Sequence, residues 1–224
     1  QEVIDYALYG WALSRFAGTW VGLKMIPDTI AATTSVLGET DRVRIATPTE
    51  CSFPRDGVNL RVPDHYRHQE ARTRHFKIPA AIAFAKANGI NRVTHASPNP
   101  RYGIVATGKA WTDLCQAFRE MALDEDQLRA LGITVLKLGM PYPVDESAIR
   151  EFAAGLEEIL IVEEKHRLTE TNVKDVLYAL PDDRRPRVIG RFDESGQMIL
   201  PDWPEFTPDD VVRALAGRIA HFHS

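Results

Sequence analysis

Cysteine is scarce in this chain, and its scarcity narrows the chemistry. Cys51 and Cys115 stand alone among 224 residues. That is short of the four thiolates a cluster usually takes, and it excludes a disulfide framework and a structural zinc site. Two isolated thiols suit a reducing, cytoplasmic setting. No apolar run approaches the roughly 20 residues a membrane-spanning helix needs. Charge of one sign is not in excess: the formal charge is −4, and Lys and Arg are not gathered in one block. The chain therefore has no general attraction for nucleic acid or anionic lipid. Seven histidines are present, none spaced with Cys, Asp or Glu as a metal site. A Gly-x-Ser-x-Gly elbow is missing, as is a Gly-x-Gly-x-x-Gly after a strand. What remains, 44% hydrophobic and 26% charged residues, is ordinary for a globular protein large enough to bury its own core.

The richest pattern runs from Tyr102 to Gly190. Ile104–Thr107 is a short β-prone run, Gly108 permits a tight turn, and Lys109–Met121 has helical spacing in Trp111, Leu114, Cys115 and Phe118. The same sequence of elements recurs. A strand is predicted at Ile133–Leu138, a turn at Gly139–Pro143, a helix at Ser147–Leu156 and a strand at Ile159–Glu163. A turn at Glu164–Arg167, a helix at Glu170–Leu180 and a strand at Arg187–Gly190 follow. Strands alternating with helices of about 10–15 residues imply an α/β domain of three layers, with a mostly parallel sheet covered on both faces.

The flanks are less regular. Residues 2–16 place apolar groups around most of a helix, as in a helix buried within a larger body, and Thr19–Ile26 reads as a strand with no sheet of its own. The helix begins without a cap or a start methionine, so the chain is expected to be cut from something longer. From Pro27 to Pro63 the composition is that of a connector, with one plausible strand at Arg42–Ile45. His65–Ala87 is a long helical pattern, basic and then apolar, interrupted at Pro79 and ended by Gly89; Arg92–Ser97 fits an edge strand. After Gly190 a hairpin turn is expected at Glu194-Ser-Gly196, and Thr207 caps a last helix with Pro208 at its first position.

Gly103 to Lys109 fits the Gly-x4-Gly-Lys part of a phosphate-binding loop, but the four residues between the glycines are strand formers. Ala110 also stands where a hydroxyl must reach magnesium. Gly108 is better explained by a turn with positive φ, and Lys109 by a solvent-facing start of a helix. In a parallel sheet, ligands bind outside the carboxyl ends of the strands. Three turns fall there, and they supply the candidate edge residues Gly108, Lys109, Tyr142, Glu163, Glu164 and Lys165. Such residues can do acid–base work or hold an acidic substrate; charged residues at strand ends are also simply solvated.

Several blocks in order resemble a known family: Asp5–Arg15, Trp20–Met25, Gly103–Ala110, Lys137–Val144 and Ile161–His166. Together they resemble the large fused indolepyruvate ferredoxin oxidoreductases, members of the 2-oxoacid:ferredoxin oxidoreductases. That resemblance implies an enzyme that decarboxylates arylpyruvates on thiamine diphosphate with Mg, passes electrons through iron–sulfur clusters to ferredoxin and releases an acyl-CoA. It implies that residues 1–45 end a pyrimidine-binding thiamine domain, 46–63 connect, 64–190 form a transketolase C-terminal-like domain, and 191–224 are a linker hairpin and helix. On this reading the chain is a non-catalytic middle portion with no catalytic, cofactor or metal residue of its own. Its partners are the other domains of the same enzyme, a second copy in a homodimer, and, for the whole enzyme, ferredoxin and coenzyme A. The competing expectation is a stand-alone α/β module that binds an anionic ligand at the strand edge.

Overall fold

The computed structural model describes residues 1–39 and 41–223, and these divide into two compact units, Gln1–Gly89 and Ile90–Ser224. In the first unit, α1 (Glu2–Ala17) ends at Gly18, whose φ of 64° provides the left-handed cap. A Cβ there would also stand 2.9 Å from Val58. Phe16 meets Phe53 and Phe84 at ring-centroid distances of 5.3 and 5.8 Å, so α1 shares a small core with the last helix of the unit. A short helix, α2 (Pro27–Ala31), follows.

The basic stretch forms α3 (Tyr66–Arg72), a π-helical turn (Thr73–Lys77) and α4 (Ile78–Ala87). Pro79 therefore does not interrupt the helix. Its ring would collide with the carbonyl four residues back in regular α geometry, and the π turn that contains that residue accommodates it without ending the helix. The strands expected at Thr19–Ile26 and Arg42–Ile45 are absent among the described residues. Both have β-prone sequences, but a strand exists only with a partner, and neither segment has one within the unit.

The second unit holds a five-stranded sheet in the order β1-β3-β2-β4-β5: β1 (Asn91–His95), β2 (Tyr102–Thr107), β3 (Ile133–Leu138), β4 (Glu158–Val162) and β5 (Arg187–Ile189). β2 pairs in parallel with β3 and β4, and β4 with β5; β1 is an antiparallel edge on β3. The expected parallel sheet and its edge strand are both present. Strand alternation divides the core. Ile104, Ala106, Val135 and Leu160 face α5 (Gly108–Glu120), α6 (Glu125–Ala130) and α9 (Pro208–His223). Val105, Leu136, Ile159 and Ile161 face α7 (Glu146–Ala153) and α8 (Leu168–Tyr178). The unit is thus three-layered.

The sequence reading missed α6, a six-residue helix started by a capping box between Asp124 and Gln127. The expected hairpin shrinks to one bridge, Phe192 with Met198, turned at Gly196 with φ 82°. Thr207 precedes α9 as expected, yet it donates its backbone N–H and its hydroxyl to Asp210, the reverse of an ordinary hydroxyl cap.

Candidate functional site at the carboxyl edge of the sheet

The chain leaves β2 toward one face of the sheet, whereas it leaves both neighbours, β3 and β4, toward the other. A crevice therefore flanks the end of β2 on each side, the place where open α/β sheets bind ligands. Gly108, first residue of α5, has φ 55° and meets no atom within 4 Å of a built Cβ, so backbone conformation alone explains it. The four residues between Gly103 and Gly108 lie in β2, at the centre of the sheet, and cannot wrap a phosphate.

Lys109 does not face solvent as expected. Its Nζ donates to Asp113 Oδ2 at 2.6 Å and to the Phe206 carbonyl at 2.9 Å, and it stands 3.7 Å from Glu164 Oε1. The ammonium also lies 5.4 Å from the Phe206 ring centroid. Glu164 Oε1 is buried and accepts no hydrogen bond among the described residues, so the Lys109 charge is its compensation.

Glu163 accepts from the backbone N–H groups of Thr169 (2.7 Å) and Glu170 (3.1 Å), covering the first turn of α8. Lys165 has φ 62°, a conformation that strains any residue with a Cβ. Its ammonium donates to Glu205 at 2.7 Å; that bond raises the lysine's pKa and lowers the glutamate's. Tyr142 sits in the loop after β3, on the other side of β2, with most of its ring in solvent. Asn91 pins that loop by accepting from the Met140 N–H at 2.9 Å.

The edge thus brings Gly108, Lys109, Glu163, Glu164 and Lys165 together and leaves Tyr142 apart. Two lysines are matched by three carboxylates, those of Asp113, Glu164 and Glu205, while Glu163 is taken up by the amides of α8. An incoming anion would have to displace carboxylates already in contact with those lysines. The cavity beside the β3 loop, lined by Asn91, Leu138, Met140, Asp145 and Thr169, has about 10 Å³, room for roughly one water. Asp113 could have been found from its four-residue spacing to Lys109; Glu205 and Phe206, some forty and ninety-seven residues from their partners, carry no such signal.

At the opposite end of the sheet, Arg218 of α9 donates through Nε to Glu158 Oε1 at 2.9 Å and through Nη1 to Glu194 at 2.7 Å. Both Arg218 and Glu158 are buried. The Tyr102 hydroxyl is buried without a hydrogen-bond partner among the described residues, and desolvation, with the Glu158 charge adding to it, pushes its pKa far up.

A model of the indolepyruvate oxidoreductase domain matches residues 92–223, which takes in the sheet and the helices on both its faces. The chain belongs to the indolepyruvate oxidoreductase family. Subunit IorA of indolepyruvate oxidoreductase from Methanothermobacter thermautotrophicus is 26% identical over 223 residues, 97% of this chain and 32% of that subunit. IorA from Methanothermobacter marburgensis is 32% identical over 133 residues, 59% of this chain and 19% of the subunit. The chain therefore spans no more than about a third of these relatives. Among solved structures, a 2-oxoglutarate:ferredoxin oxidoreductase from Magnetococcus marinus aligns over 75% of this chain and 26% of its own, at 14% identity and a TM-score of 0.45. A split-gene transketolase aligns over 58% and 41%, at 19% identity and a TM-score of 0.39. The family resemblance carried by the sequence blocks is borne out.

Proposed function

We propose that residues 1–224 are a structural portion of a thiamine diphosphate-dependent indolepyruvate (arylpyruvate) ferredoxin oxidoreductase. The whole enzyme makes arylacetyl-CoA and reduced ferredoxin, and this portion supplies none of the reacting groups. The observation that carries the reading is the family match over 92–223, joined to an alignment of almost the whole chain with under a third of an IorA subunit. On this reading residues 1–45 complete a pyrimidine-binding domain, 46–63 connect, 64–190 form a transketolase C-terminal-like domain and 191–224 lead onward. The enzyme is a cytoplasmic homodimer whose other domains hold thiamine diphosphate, Mg and the iron–sulfur clusters, and which meets ferredoxin and coenzyme A.

The residues present do not fit the cofactor. Thiamine chemistry needs a carboxylate on the pyrimidine and a metal-held diphosphate. At the sheet edge Glu163 is committed to the amides of α8 and Glu164 to Lys109. No group of three or more His, Cys, Asp or Glu among the described residues could hold a metal ion. Two cysteines cannot ligate a cluster that takes four thiolates. The same committed carboxylates disfavour the competing reading of an anion-binding module at this edge.

The test supplies the purified chain with indolepyruvate, thiamine diphosphate, magnesium, coenzyme A and an electron acceptor. No turnover is expected, and calorimetry is expected to register no saturable thiamine diphosphate binding. Acceptor reduction that depends on substrate and survives repurification would place the reacting groups inside residues 1–224 and overturn the proposal.

A further inference from the structure

The first unit holds a cavity of about 410 Å³ where the end of α1 meets the π turn, a volume within the range of small-molecule sites. Arg72 and Lys77 both line it. At the α-helical step of about 100° per residue, side chains five apart would point about 140° away from each other. The π turn corrects this. Its hydrogen bond from the Ile78 N–H to the Thr73 carbonyl spans five residues, so positions five apart come to the same side of the helix.

The charges around the cavity do not balance, and the surplus sits on one atom. Arg72 donates to Asp56 Oδ1 at 3.1 Å and to the Gly57 carbonyl, while Arg61 stands 2.7 Å from Asp56 and 3.4 Å from Asp64. Two guanidinium groups are thus matched by two carboxylates. Lys77 has no such match: its Nζ donates to the Gly18 carbonyl at 2.7 Å and makes no ion pair among the described residues. One of its three donors is used. Burial and the Arg72 charge lower its pKa, as befits an ammonium without a counterion. Apart from Asp64, which Arg61 already meets, the rest of the lining is neutral, and two of its members, Trp20 and Leu60, are apolar and 98% and 67% exposed.

We propose that this cavity binds a monocarboxylate with a flat apolar body, the carboxylate accepting from Lys77 Nζ and the body lying against Trp20 and Leu60. A single unmatched ammonium selects a single negative charge, and a charge-assisted hydrogen bond holds it. Exposed apolar side chains beside that ammonium select a ligand with apolar surface to cover. The sheet edge offers nothing comparable, since its lysines already have their carboxylates. The inference does not rest on the proposed function and stands or falls separately.

Phenylacetate titrated into the 224-residue chain, followed by nitrogen–proton correlation spectra, tests it. Saturable shifts are expected at the Trp20 indole N–H and at the amides of residues 57–60 and 72–77, with Gly108 and Lys109 unmoved. Phenylacetamide keeps the body without the charge, acetate the charge without the body, and each is expected to bind at least about tenfold more weakly, the worth of one hydrogen bond to a charged group or of a covered ring face. No saturable shift at millimolar phenylacetate, shifts confined to the sheet edge, or equal binding of phenylacetamide would each overturn the proposal. Lys77→Met should weaken phenylacetate by about tenfold or more, and Lys77→Arg should keep most of the affinity. Because Lys77 also ties the π turn to Gly18, a second variant guards against a folding effect. Leu60→Glu, at an exposed position, sets a like charge on the lining and should abolish binding with the urea midpoint unchanged; undiminished affinity in both Lys77→Met and Leu60→Glu would sink the site.

Discussion

Arg218 holds two carboxylates with one guanidinium, and Glu158 is buried with it, so neither charge can be left alone cheaply. Arg218→Ala is expected to lose about 3–5 kcal/mol of unfolding free energy, because it strands the Glu158 carboxylate at the foot of the sheet. Urea titration of the second unit measures this; a loss within the error of the titration would count against the pair as a structural clamp. Replacing both partners, Arg218→Met with Glu158→Leu, should recover most of the loss. His95 gives a pH dependence of known sign. Burial lowers its pKa, only partly opposed by the Glu125 carboxylate. Between the lowered folded value and the ordinary 6.5, the unfolded chain binds the extra proton, so stability is expected to fall as pH drops through that window. His95→Gln should flatten the slope, and equal slopes in the two proteins would refute the assignment. Little of this could be read from the sequence. Lys109 and Asp113 sit one helical turn apart and could be paired by spacing, but sixty residues separate Glu158 from Arg218. A buried pair of that kind comes from how α9 packs on the sheet.

Two glycines at either end of β2 are there for different reasons, and substitution separates them. At Gly103 a Cβ would stand 2.6 Å from Leu156 Cδ1 and 3.0 Å from Phe152, so Gly103→Ala should cost about 1–3 kcal/mol by overpacking. A smaller partner, Leu156→Ala, should relieve the crowding, though it opens a cavity of its own. At Gly108 there is space but φ is 55°, so Gly108→Ala should cost about 1–2 kcal/mol, and no second substitution in the packing should restore it. Equilibrium unfolding of the single and double variants distinguishes the two. The same element decides the phosphate-loop resemblance. ATP or GTP with magnesium is expected not to bind at Gly103–Ala110, and saturable micromolar binding abolished by Lys109→Ala would revive it. At this scale the sequence was highly legible, since alternating β-prone runs and helical spacing marked every strand of the parallel sheet. It misled where a β-prone segment had no partner, at 19–26 and 42–45, because propensity specifies a shape and pairing requires a neighbour.

The whole chain divides at Gly89, and the second unit has its own sheet with helices on both faces. Residues 90–224 expressed alone are expected to unfold in one cooperative urea transition; a broad, non-cooperative loss of circular dichroism would show that this unit depends on residues 1–89. The layered architecture was legible because connections between parallel strands must cross over by a helix. The edge site was legible as a location, through the rule that strands end there, but not as an electrostatic arrangement, which depends on Glu205 and Phe206 arriving from a distant segment. One feature of the strand order also sets a timetable for synthesis. β1 pairs with β3, two strands later in the chain, and β2 occupies the position on β3's other side. While a ribosome makes the chain, His95 and its neighbours wait unpaired until Leu138 has emerged. At about 5–20 residues per second that is an interval of roughly 2–9 s, during which the antiparallel edge strand β1 is open to whatever binds nascent strands.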